Sequence, residues 1–235
     1  MKESKILVVG SASIDLTISS KVFPKEGETI IGESVTYAPG GKGANQAVQA
    51  ARLGNKVTFV GKLGDDSNGE KLLKVYQKEH LNLEHLLIDK KEATGNAFIL
   101  LEKKGNQTVN RIIVVPGSNM CINNKDVSFL KDTISEYDFV MLQLEIPVEI
   151  NETIAKYAHL ANVPVMLNPA PYSKLSPELL KNLTYISPNE HEASLLSGIK
   201  ITRDEYNKLD LNTVKQAAIK IYNMGIKNVL ITLGD

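Results

Sequence analysis

The sequence has little cysteine, no excess of either charge and no long apolar run. Its one cysteine among 235 residues, Cys121, has no partner for an internal disulfide, which fits a reducing cytosol. Lys and Arg together number 27, as do Asp and Glu, so no basic excess points to nucleic acid or an anionic membrane. No stretch is apolar over the length of a membrane span, and the N-terminal run "KILVVG" is too short for a secretory signal. These absences predict a cytoplasmic globular protein with neither a nucleic-acid nor a membrane partner.

The sequence does contain short apolar runs that alternate with helical patterns. The candidate strands are "KILVVG", "KVTFVG", "DFVMLQLE", "VPVMLNPAP", "LTYISP" and "NVLITLG". The candidate helices include "GEKLLKVYQKEHL", "PVEINETIAKYAHLA", "SPELLKNL" and "NTVKQAAIKIYNMG". Ser67 with Glu70 predicts a capping box at the start of the first of these helices, and Gly225 predicts the end of the last. Strands that are apolar throughout predict an α/β fold, with a parallel sheet covered by helices on both faces.

Two segments interrupt this alternation. Residues 15–38 are rich in strand and turn residues without a helical pattern, and residues 94–115 predict a hairpin around "KKGN". We expect the two segments to pair into one small β-sheet beside a main domain of residues 1–14, 39–93 and 116–235. Such a sheet is either a decorative edge or a lid over a binding site, and the pattern alone leaves both open.

The densest cluster of glycines lies in "YAPGGKGANQAVQAARLG", residues 37–54. The apolar positions after the glycines recur with a helical period and mark one helix face, made of Ala44, Ala47, Val48 and Ala51. Gly54 suits the end of that helix. The "GGKG" segment then lies at the helix N-terminus. There we expect unpaired backbone N–H groups to point outward and the glycines to admit a polar ligand.

The residues alone do not decide what this segment binds. Lys42 is followed by Gly43, so the phosphate-loop pattern G-x-x-x-x-G-K-[ST] fails, and Gln46 breaks the dinucleotide pattern G-x-G-x-x-G. A hydroxyl-rich ligand fits, because Asn45 donates and accepts hydrogen bonds and Lys42 donates them. A tight turn that leads into a helix of small residues fits equally well.

Seven motifs occur along the chain in an order that is typical of one enzyme family. They are "VVGSASID", "PGGKGANQAVQAARLG", "GKLGDDSNGE", "LQLEIP", "LNPAP", "ISPNEHEASLLSG" and "VLITLGD". With these motifs the chain resembles the ribokinase-like, phosphofructokinase-B-type carbohydrate kinases over essentially its whole length. "GGKGANQA" with "LNPAP" resembles the ribokinase branch more than the phosphofructokinase branch. The resemblance implies a three-layer α/β/α, Rossmann-like and mostly parallel sheet with a small β-sheet lid.

The resemblance also implies a sugar-binding set. Its members are Ser13, Asp15, Gly40, Gly41, Lys42, Asn45, Ala97 and Glu145. The Asp15 carboxylate would accept hydrogen bonds from two sugar hydroxyls, and Glu145 follows a buried strand at the edge where α/β sheets bind ligands. The alternative for Glu145 is a partner for Lys42 or for a backbone amide. Ala97 and Val114 would supply apolar contacts from the lid. Ser13 stands where ribokinases usually carry asparagine, which removes one donor and acceptor pair from the sugar site.

The same resemblance implies nucleotide and metal positions. Asn189, Thr232 and Gly234 would lie at the nucleotide, and Glu192 of "PNEHE" would act on Mg²⁺ through water. Helix capping is the alternative for Asn189 and Glu192, since asparagine is a good N-cap and glutamate suits the first turn. His191 has no metal partner at a convincing spacing and is interpreted as a solvated helix residue.

No motif of this chain matches the Gly-rich anion hole and catalytic base of the family. Neither "GAGD" nor "AAGD" occurs, and "KLGDDSNG" aligns with a different family segment. Asp65, Asp66 and Asp235 are therefore not taken as the base. We expect the base, the anion hole and most of the K⁺ site to lie beyond residue 235, in a C-terminal part that this chain lacks.

The implied function is ATP-dependent phosphorylation of the primary hydroxyl of a sugar, with D-ribose as the favoured substrate. ATP would be the co-substrate, with Mg²⁺ and K⁺ as cations, and a homodimer would form through the lid. A non-catalytic sugar-binding or regulatory protein is the alternative, because no base is found. Fructokinase-like, deoxyribose and nucleoside kinases are the alternatives within the enzyme class.

Overall fold

The computed structural model describes residues 3–104 and 107–234, which form two β-sheets and the helices that cover them. The strands, in chain order, are β1 (Lys5–Val9), β2 (Ser13–Ser20), β3 (Ser34–Gly40), β4 (Lys56–Gly64), β5 (Leu86–Asp89), β6 (Gly95–Lys104), β7 (Gln107–Val115), β8 (Phe139–Gln143), β9 (Val165–Asn168), β10 (Tyr185–Ile186) and β11 (Asn228–Val229). The helices are α1 (Lys42–Arg52), α2 (Ser67–Lys78), α3 (Leu130–Thr133), α4 (Val148–Leu160), α5 (Pro177–Asn182), α6 (Glu190–Ser197) and α7 (Leu211–Tyr222), with 3₁₀ turns at Gly117–Cys121 and Ile134–Glu136. Residues 105–106 of the predicted "KKGN" turn and Asp235 lie outside the described residues.

Seven strands form a parallel sheet in the order β11-β10-β9-β8-β1-β4-β5. The chain starts near the middle with β1, adds β4 and β5 on one side, and then adds β8 to β11 on the other. Because crossovers between parallel strands are right-handed, this reversal puts α1 and α2 on one face and α4 to α7 on the opposite face. The predicted parallel sheet with helices on both faces is confirmed.

The central strands are mostly apolar because both of their faces are buried. In β1, Leu7 and Val9 join the core on the α4 face, whereas Val8 joins the core on the α1 and α2 face. In α1, Ala44, Ala47 and Ala50 are buried and Val48 and Ala51 are half-buried. The buried face of α1 is therefore rotated slightly from the predicted face, toward the side of the helix that carries Gly43. No helix within the described residues is both long and apolar enough to cross a membrane.

The strands β2, β3, β6 and β7 form the small sheet, in the order β3-β2-β6-β7. Its central pair, β2 with β6, is parallel, and the two outer pairs are antiparallel. The predicted pairing of the two interrupting segments into one sheet is confirmed, although β2 begins at Ser13 and β3 extends to Gly40. Ile14 anchors the small sheet, because its side chain is buried in the same core as Leu72 and Tyr76 of α2.

The start of α2 differs from the sequence prediction. Asp66, not Ser67, is the N-cap residue, and its Oδ1 accepts a hydrogen bond from the Gly69 N–H at 2.8 Å. The same carboxylate accepts hydrogen bonds from the N–H and the hydroxyl of Thr94, both at 2.8 Å. Burial alone would raise the pKa of Asp66, but the bonds from Gly69 and Thr94 outweigh burial and lower it. One carboxylate thus stabilises the start of α2 and the chain that enters β6.

The start of α1 lies directly against the chain that follows β1. The Ala44 N–H donates to the Ser11 carbonyl at 2.8 Å. A Cβ atom added to Gly43 would lie 2.6 Å from the Gly10 carbonyl carbon and from the Ser11 nitrogen. Only glycine lets the two backbones approach this closely. The predicted helix end at Gly54 is confirmed by its left-handed φ of +88°.

The close contact at Gly43 predicts that Gly43→Ala lowers the free energy of unfolding by about 1–3 kcal/mol, as overpacking does. Helix propensity alone predicts the opposite sign, since alanine favours a helix over glycine. Urea unfolding followed by circular dichroism measures the change. Gly32→Ala is the matched control, because the nearest atom to an added Cβ there lies 3.5 Å away. A Gly43→Ala protein as stable as the wild type would contradict the prediction.

The Asp66 contacts predict a pH-dependent stability. A carboxylate whose pKa is lowered by folding contributes stability above its unfolded pKa, and the contribution is lost as the pH falls through the folded pKa. We therefore expect Asp66→Asn to lower the free energy of unfolding at pH 7. The difference from wild type should shrink as the pH falls below about 4. Urea unfolding at pH 7 and pH 3 measures it, with the exposed neighbour Asp65→Asn as control. An equal difference at both pH values would refute the assignment.

Candidate active site

A cavity of about 830 Å³ opens between the small sheet and the C-terminal edge of the parallel sheet. The chain segments after β1 and after β8 meet there, because these two strands are neighbours. The strand order reverses between them, and such a reversal is where open α/β sheets bind ligands. The predicted site residues that line this cavity are Ser13, Asp15, Gly41, Lys42, Asn45, Ala97, Glu145 and Glu192, together with Val114.

A carboxylate joins the two strand ends to the glycine-rich helix start. Glu145 Oε2 accepts hydrogen bonds from the Lys42 N–H at 2.9 Å and from the Ser11 hydroxyl at 2.5 Å. The Ser11 hydroxyl oxygen lies 3.4 Å from the Gly43 nitrogen. The carbonyl oxygen of Ser11 accepts a hydrogen bond from the Ala44 N–H. A negative charge at this position also interacts favourably with the helix dipole. We call this arrangement the Glu145–Ser11 junction.

The junction contradicts the expectation that the first amide groups of α1 point outward to a ligand. The N–H groups of Lys42, Gly43 and Ala44 are directed to Glu145 and Ser11 instead. Gly41 has a φ of +90°, and an added Cβ would lie 2.7 Å from the Cα atom of Ala12. The glycines therefore serve the close approach of two protein backbones. Of this segment, Gly41 and Lys42 line the cavity, whereas the N–H groups at the helix start are directed to other parts of the protein.

Asp15 is half-buried at the cavity wall and carries a perturbed carboxylate. Burial raises the pKa of Asp15; the hydrogen bond from the Ser13 hydroxyl at 3.1 Å opposes this rise, the charge of Glu145 adds to it, and the charge of Lys42 opposes it. Gly40 is absent from the cavity lining but lies against this carboxylate. A Cβ atom at Gly40 would lie 2.1 Å from Asp15 Oδ1, so glycine leaves the space that the carboxylate occupies.

The small sheet supplies an apolar wall beside Asp15. Asp15 on β2 is in register with Ala97 on β6, which is in register with Val114 on β7. Ile99 and Ile112 are paired in the same way two residues further along and share that face of the sheet. All four apolar residues line the cavity. A ligand there would meet Asp15 and the aliphatic side chains of the small sheet on one side, and Glu145 and Lys42 on the other.

The three predicted nucleotide residues lie together, outside this cavity, at the C-terminal ends of β10 and β11. Asn189 and Thr232 form a parallel bridge, and the Thr232 N–H donates to the Pro188 carbonyl at 2.9 Å. The Gly234 N–H donates to Glu190 Oε1 at 2.8 Å. The structure thus gathers these residues at one corner of the sheet, next to the start of α6.

Asn189 and Glu192 form a capping box at the start of α6. The Asn189 Oδ1 accepts from the Glu192 N–H at 2.8 Å, and Glu192 Oε2 accepts from the Asn189 N–H at 2.9 Å. The capping interaction named as the alternative is therefore present. Glu192 and the exposed His191 also line the cavity. Within the described residues, no group of three or more His, Cys, Asp or Glu side chains is arranged to hold a metal ion.

Several cavity residues were not predicted from the sequence. They are Ser11, Ile99, Ile112, Asn119, Met120, Leu144, Ala170, Pro171, Tyr172 and Leu195, with Val115 and Pro116 at the rim of the small sheet. Ser11 lies inside the quoted motif "VVGSASID", two residues before the predicted site residue Ser13. That proximity is the only feature of the sequence that could have pointed to Ser11. Asn119 and Tyr172 reach the cavity from turns whose position is set by the tertiary fold.

The chain is similar to ribokinases in both sequence and structure. The chain is 41% identical over 191 residues to ribokinase of Bacillus subtilis. The aligned region covers 81% of this chain and 64% of that protein. The chain is 38% identical over 229 residues to ribokinase of Haemophilus influenzae, which covers 97% of this chain and 72% of that protein. The structure of Arabidopsis thaliana ribokinase complexed with ribose and ATP matches with a TM-score of 0.83 at 34% identity, over 99% of this chain and 72% of that chain.

The family follows from sequence and fold together. The pfkB family carbohydrate kinase model matches residues 3–235. The chain spans just under two thirds of the length of the B. subtilis protein, at 64%. The parallel sheet with its small additional sheet is the fold of the ribokinase structures that it matches. The resemblance drawn from the motifs is confirmed, and the chain belongs to the pfkB family of carbohydrate kinases.

Proposed function

We propose that this chain takes part in the ATP-dependent phosphorylation of D-ribose, which yields D-ribose 5-phosphate and ADP. One observation carries the proposal. Seven of the eight predicted sugar-binding residues line one cavity, and the eighth, Gly40, lies against Asp15. The similarity to ribokinases, one of which is known in complex with ribose and ATP, supports the choice of substrates.

The cavity suits a sugar because hydroxyl donors and acceptors meet an apolar surface. Asp15 accepts two hydroxyl hydrogens and Glu145 accepts another, since both hydrogen bonds of the junction end on its Oε2 atom. Lys42 and Asn45 donate to sugar oxygens. Ala97 on the small sheet covers the C–H face of the ring. Ordering of the small sheet over the sugar as a lid would exclude water from the reacting hydroxyl.

The identity of the sugar depends on few groups. The Ser13 hydroxyl donates a hydrogen bond to Asp15 at 3.1 Å and so orients that carboxylate. It therefore does not take over the sugar contact expected of the asparagine that ribokinases usually carry at this position. Recognition of the hydroxyl pattern then rests on Asp15, Lys42 and Asn45. Fructokinase-like, deoxyribose and nucleoside kinases are the competing assignments within the family.

ATP would lie between the sugar and the corner formed by Asn189, Thr232 and Gly234. Glu192 lines the cavity between these two places, and a single carboxylate suits Mg²⁺ held mainly by phosphates and water. Mg²⁺ would there neutralise the charge of the transferring phosphate. K⁺ is expected from the family, but no residue of this chain is assigned to it.

A homodimer through the small sheet and a cytoplasmic location complete the proposal. On the sheet face opposite the cavity, Tyr37, Phe98 and Ile113 lie in one register row, and Tyr37 and Ile113 are 65% and 61% exposed. An exposed apolar row flanked by edge strands favours pairing with a second copy. The single cysteine is consistent with the cytoplasm.

A second candidate is a sugar-binding protein without kinase activity. The observation that favours it is the completeness of the sugar side of the cavity, while no residue of this chain is assigned as the catalytic base. A base and an anion hole each contribute about 10²-fold or more to phosphoryl transfer.

The sugar site predicts opposite effects of Asp15→Asn on binding and on stability. Ribose affinity should fall by about tenfold or more, because a charged acceptor of two hydroxyls is lost. The melting temperature should rise, because folding raises the pKa of Asp15 and therefore disfavours its ionised form at neutral pH. Isothermal titration with ribose and thermal unfolding measure the two effects, with Asp65→Asn as control. Unchanged ribose affinity would remove Asp15 from the site.

The kinase assignment predicts ribose-dependent release of ADP. The intact chain, with its mass confirmed, is incubated with ATP, Mg²⁺, K⁺ and a panel of ribose, fructose, deoxyribose and nucleosides. We expect ribose to give the fastest release in a coupled assay. Ribose binding by titration without ADP release would support the second candidate. Absence of ribose binding would contradict both.

A further inference from the structure

The small sheet is joined to the rest of the protein by four chain connections. These are residues 10–12 before β2, residue 41 after β3, residues 90–94 before β6 and residue 116 after β7. The connections converge around Ala12 and the Asn119 side chain, which belongs to the 3₁₀ turn that follows β7. Since Asp15 lies on the small sheet and Glu145 on the other side of the cavity, the geometry of this convergence sets the width of the site.

The Asn119 amide ties two of these connections together directly. Its Oδ1 accepts a hydrogen bond from the Ala12 N–H at 2.9 Å, and its Nδ2 donates to the Ala12 carbonyl at 2.9 Å. The same Nδ2 donates to the Pro116 carbonyl at 2.9 Å. Ala12 is thus held through both of its backbone polar groups, in the way that a neighbouring strand would hold it.

The other two connections meet the same group of atoms at glycines: Gly95, the first residue of β6 after residues 90–94, and Gly41. A Cβ added to Gly95 would lie 2.3 Å from Asn119 Nδ2 and 3.0 Å from the Ala12 carbonyl oxygen. A Cβ added to Gly41 would lie 2.7 Å from the Ala12 Cα atom. Gly95 thus approaches Asn119 and Ala12, and Gly41 approaches Ala12, without an intervening side chain.

Asn119 lines the cavity, yet its hydrogen-bonding capacity is nearly exhausted. Both Nδ2 hydrogens and one lone pair of Oδ1 are used by Ala12 and Pro116, and the residue is 3% exposed. Asn119 therefore connects parts of the protein to each other and does not bind the ligand. The residue that it holds, Ala12, lies between Ser11, which donates to Glu145, and Ser13, which donates to Asp15.

We propose that Asn119 is a positioning residue of the sugar site, which fixes the small sheet so that Asp15 and Glu145 face one ligand. The proposal rests on the proposed sugar-binding function for its effect on affinity. Its structural part, the restraint on the small sheet, is independent of any ligand.

The test compares Asn119→Asp with Ser118→Ala in the full chain. Aspartate is isosteric but replaces the two donor hydrogens by an acceptor that faces the carbonyls of Ala12 and Pro116. Ser118 is the matched control, because it is fully buried in the same turn and its hydroxyl donates to the Lys62 carbonyl at 2.8 Å, toward β4. Hydrogen–deuterium exchange of the unliganded proteins, thermal unfolding and ribose titration are measured. Asn119→Ala, which removes the bonds without repulsion, replaces the aspartate variant if that variant does not fold.

We expect both substitutions to lower the melting temperature. Asn119→Asp should in addition speed amide exchange in β2 and β6 and weaken ribose binding by about tenfold or more. Ser118→Ala should leave both the exchange of these strands and the ribose affinity at wild-type values. The proposal is overturned if the Asn119 variants bind ribose like the wild type, or if β2 and β6 exchange is unchanged. A wild-type protein that does not bind ribose refutes the proposed function, and exchange in the unliganded variants still decides the role of Asn119.

Discussion

The site depends on the hydrogen bonds of Glu145 to the start of α1 and to Ser11. These bonds connect the ends of two adjacent strands, β1 and β8, with the helix that covers one of them. A carboxylate at a helix N-terminus is electrostatically favourable, so the arrangement stabilises the fold as well as shaping the cavity. Both bonds end on Oε2, and Oε1 is the oxygen through which Glu145 can meet a ligand. The glycines at 41 and 43 follow from this junction, because any side chain there would separate the backbones that it joins.

The large elements of the fold were predictable because their causes are local. A strand such as β1 is apolar from Ile6 to Val9 because each face meets a helix layer, and that pattern is visible without any tertiary knowledge. The helix end at Gly54 follows equally from the backbone requirement for a positive φ. The last predicted strand, "NVLITLG", contains only Asn228–Val229 as regular strand. The rest of this apolar run is irregular, apart from an isolated bridge between Thr232 and Asn189.

What the sequence could not reveal depends on contacts between distant residues. The pattern S-x-x-E favours Ser67 as the N-cap, but Asp66 takes that place because Thr94, 28 residues away, binds the same carboxylate. Ser11 meets Glu145 across 134 residues, and Asn119 meets Ala12 across 107. No periodicity or spacing links such pairs. The proposed sugar-site residues were predicted from the family motifs, and the contacts that each of them makes became visible only in the fold.

The ionised form of Asp15 is disfavoured in the free cavity, mainly by burial. Burial and the Glu145 charge raise the pKa of Asp15, and the hydrogen bond from Ser13 and the Lys42 charge oppose this rise only in part. A ligand that donates hydroxyl hydrogens to both carboxylates reduces this cost only if Asp15 and Glu145 face it together. That condition makes binding depend on the position of the small sheet, because Asp15 lies on β2 whereas Glu145 is hydrogen-bonded to the start of α1.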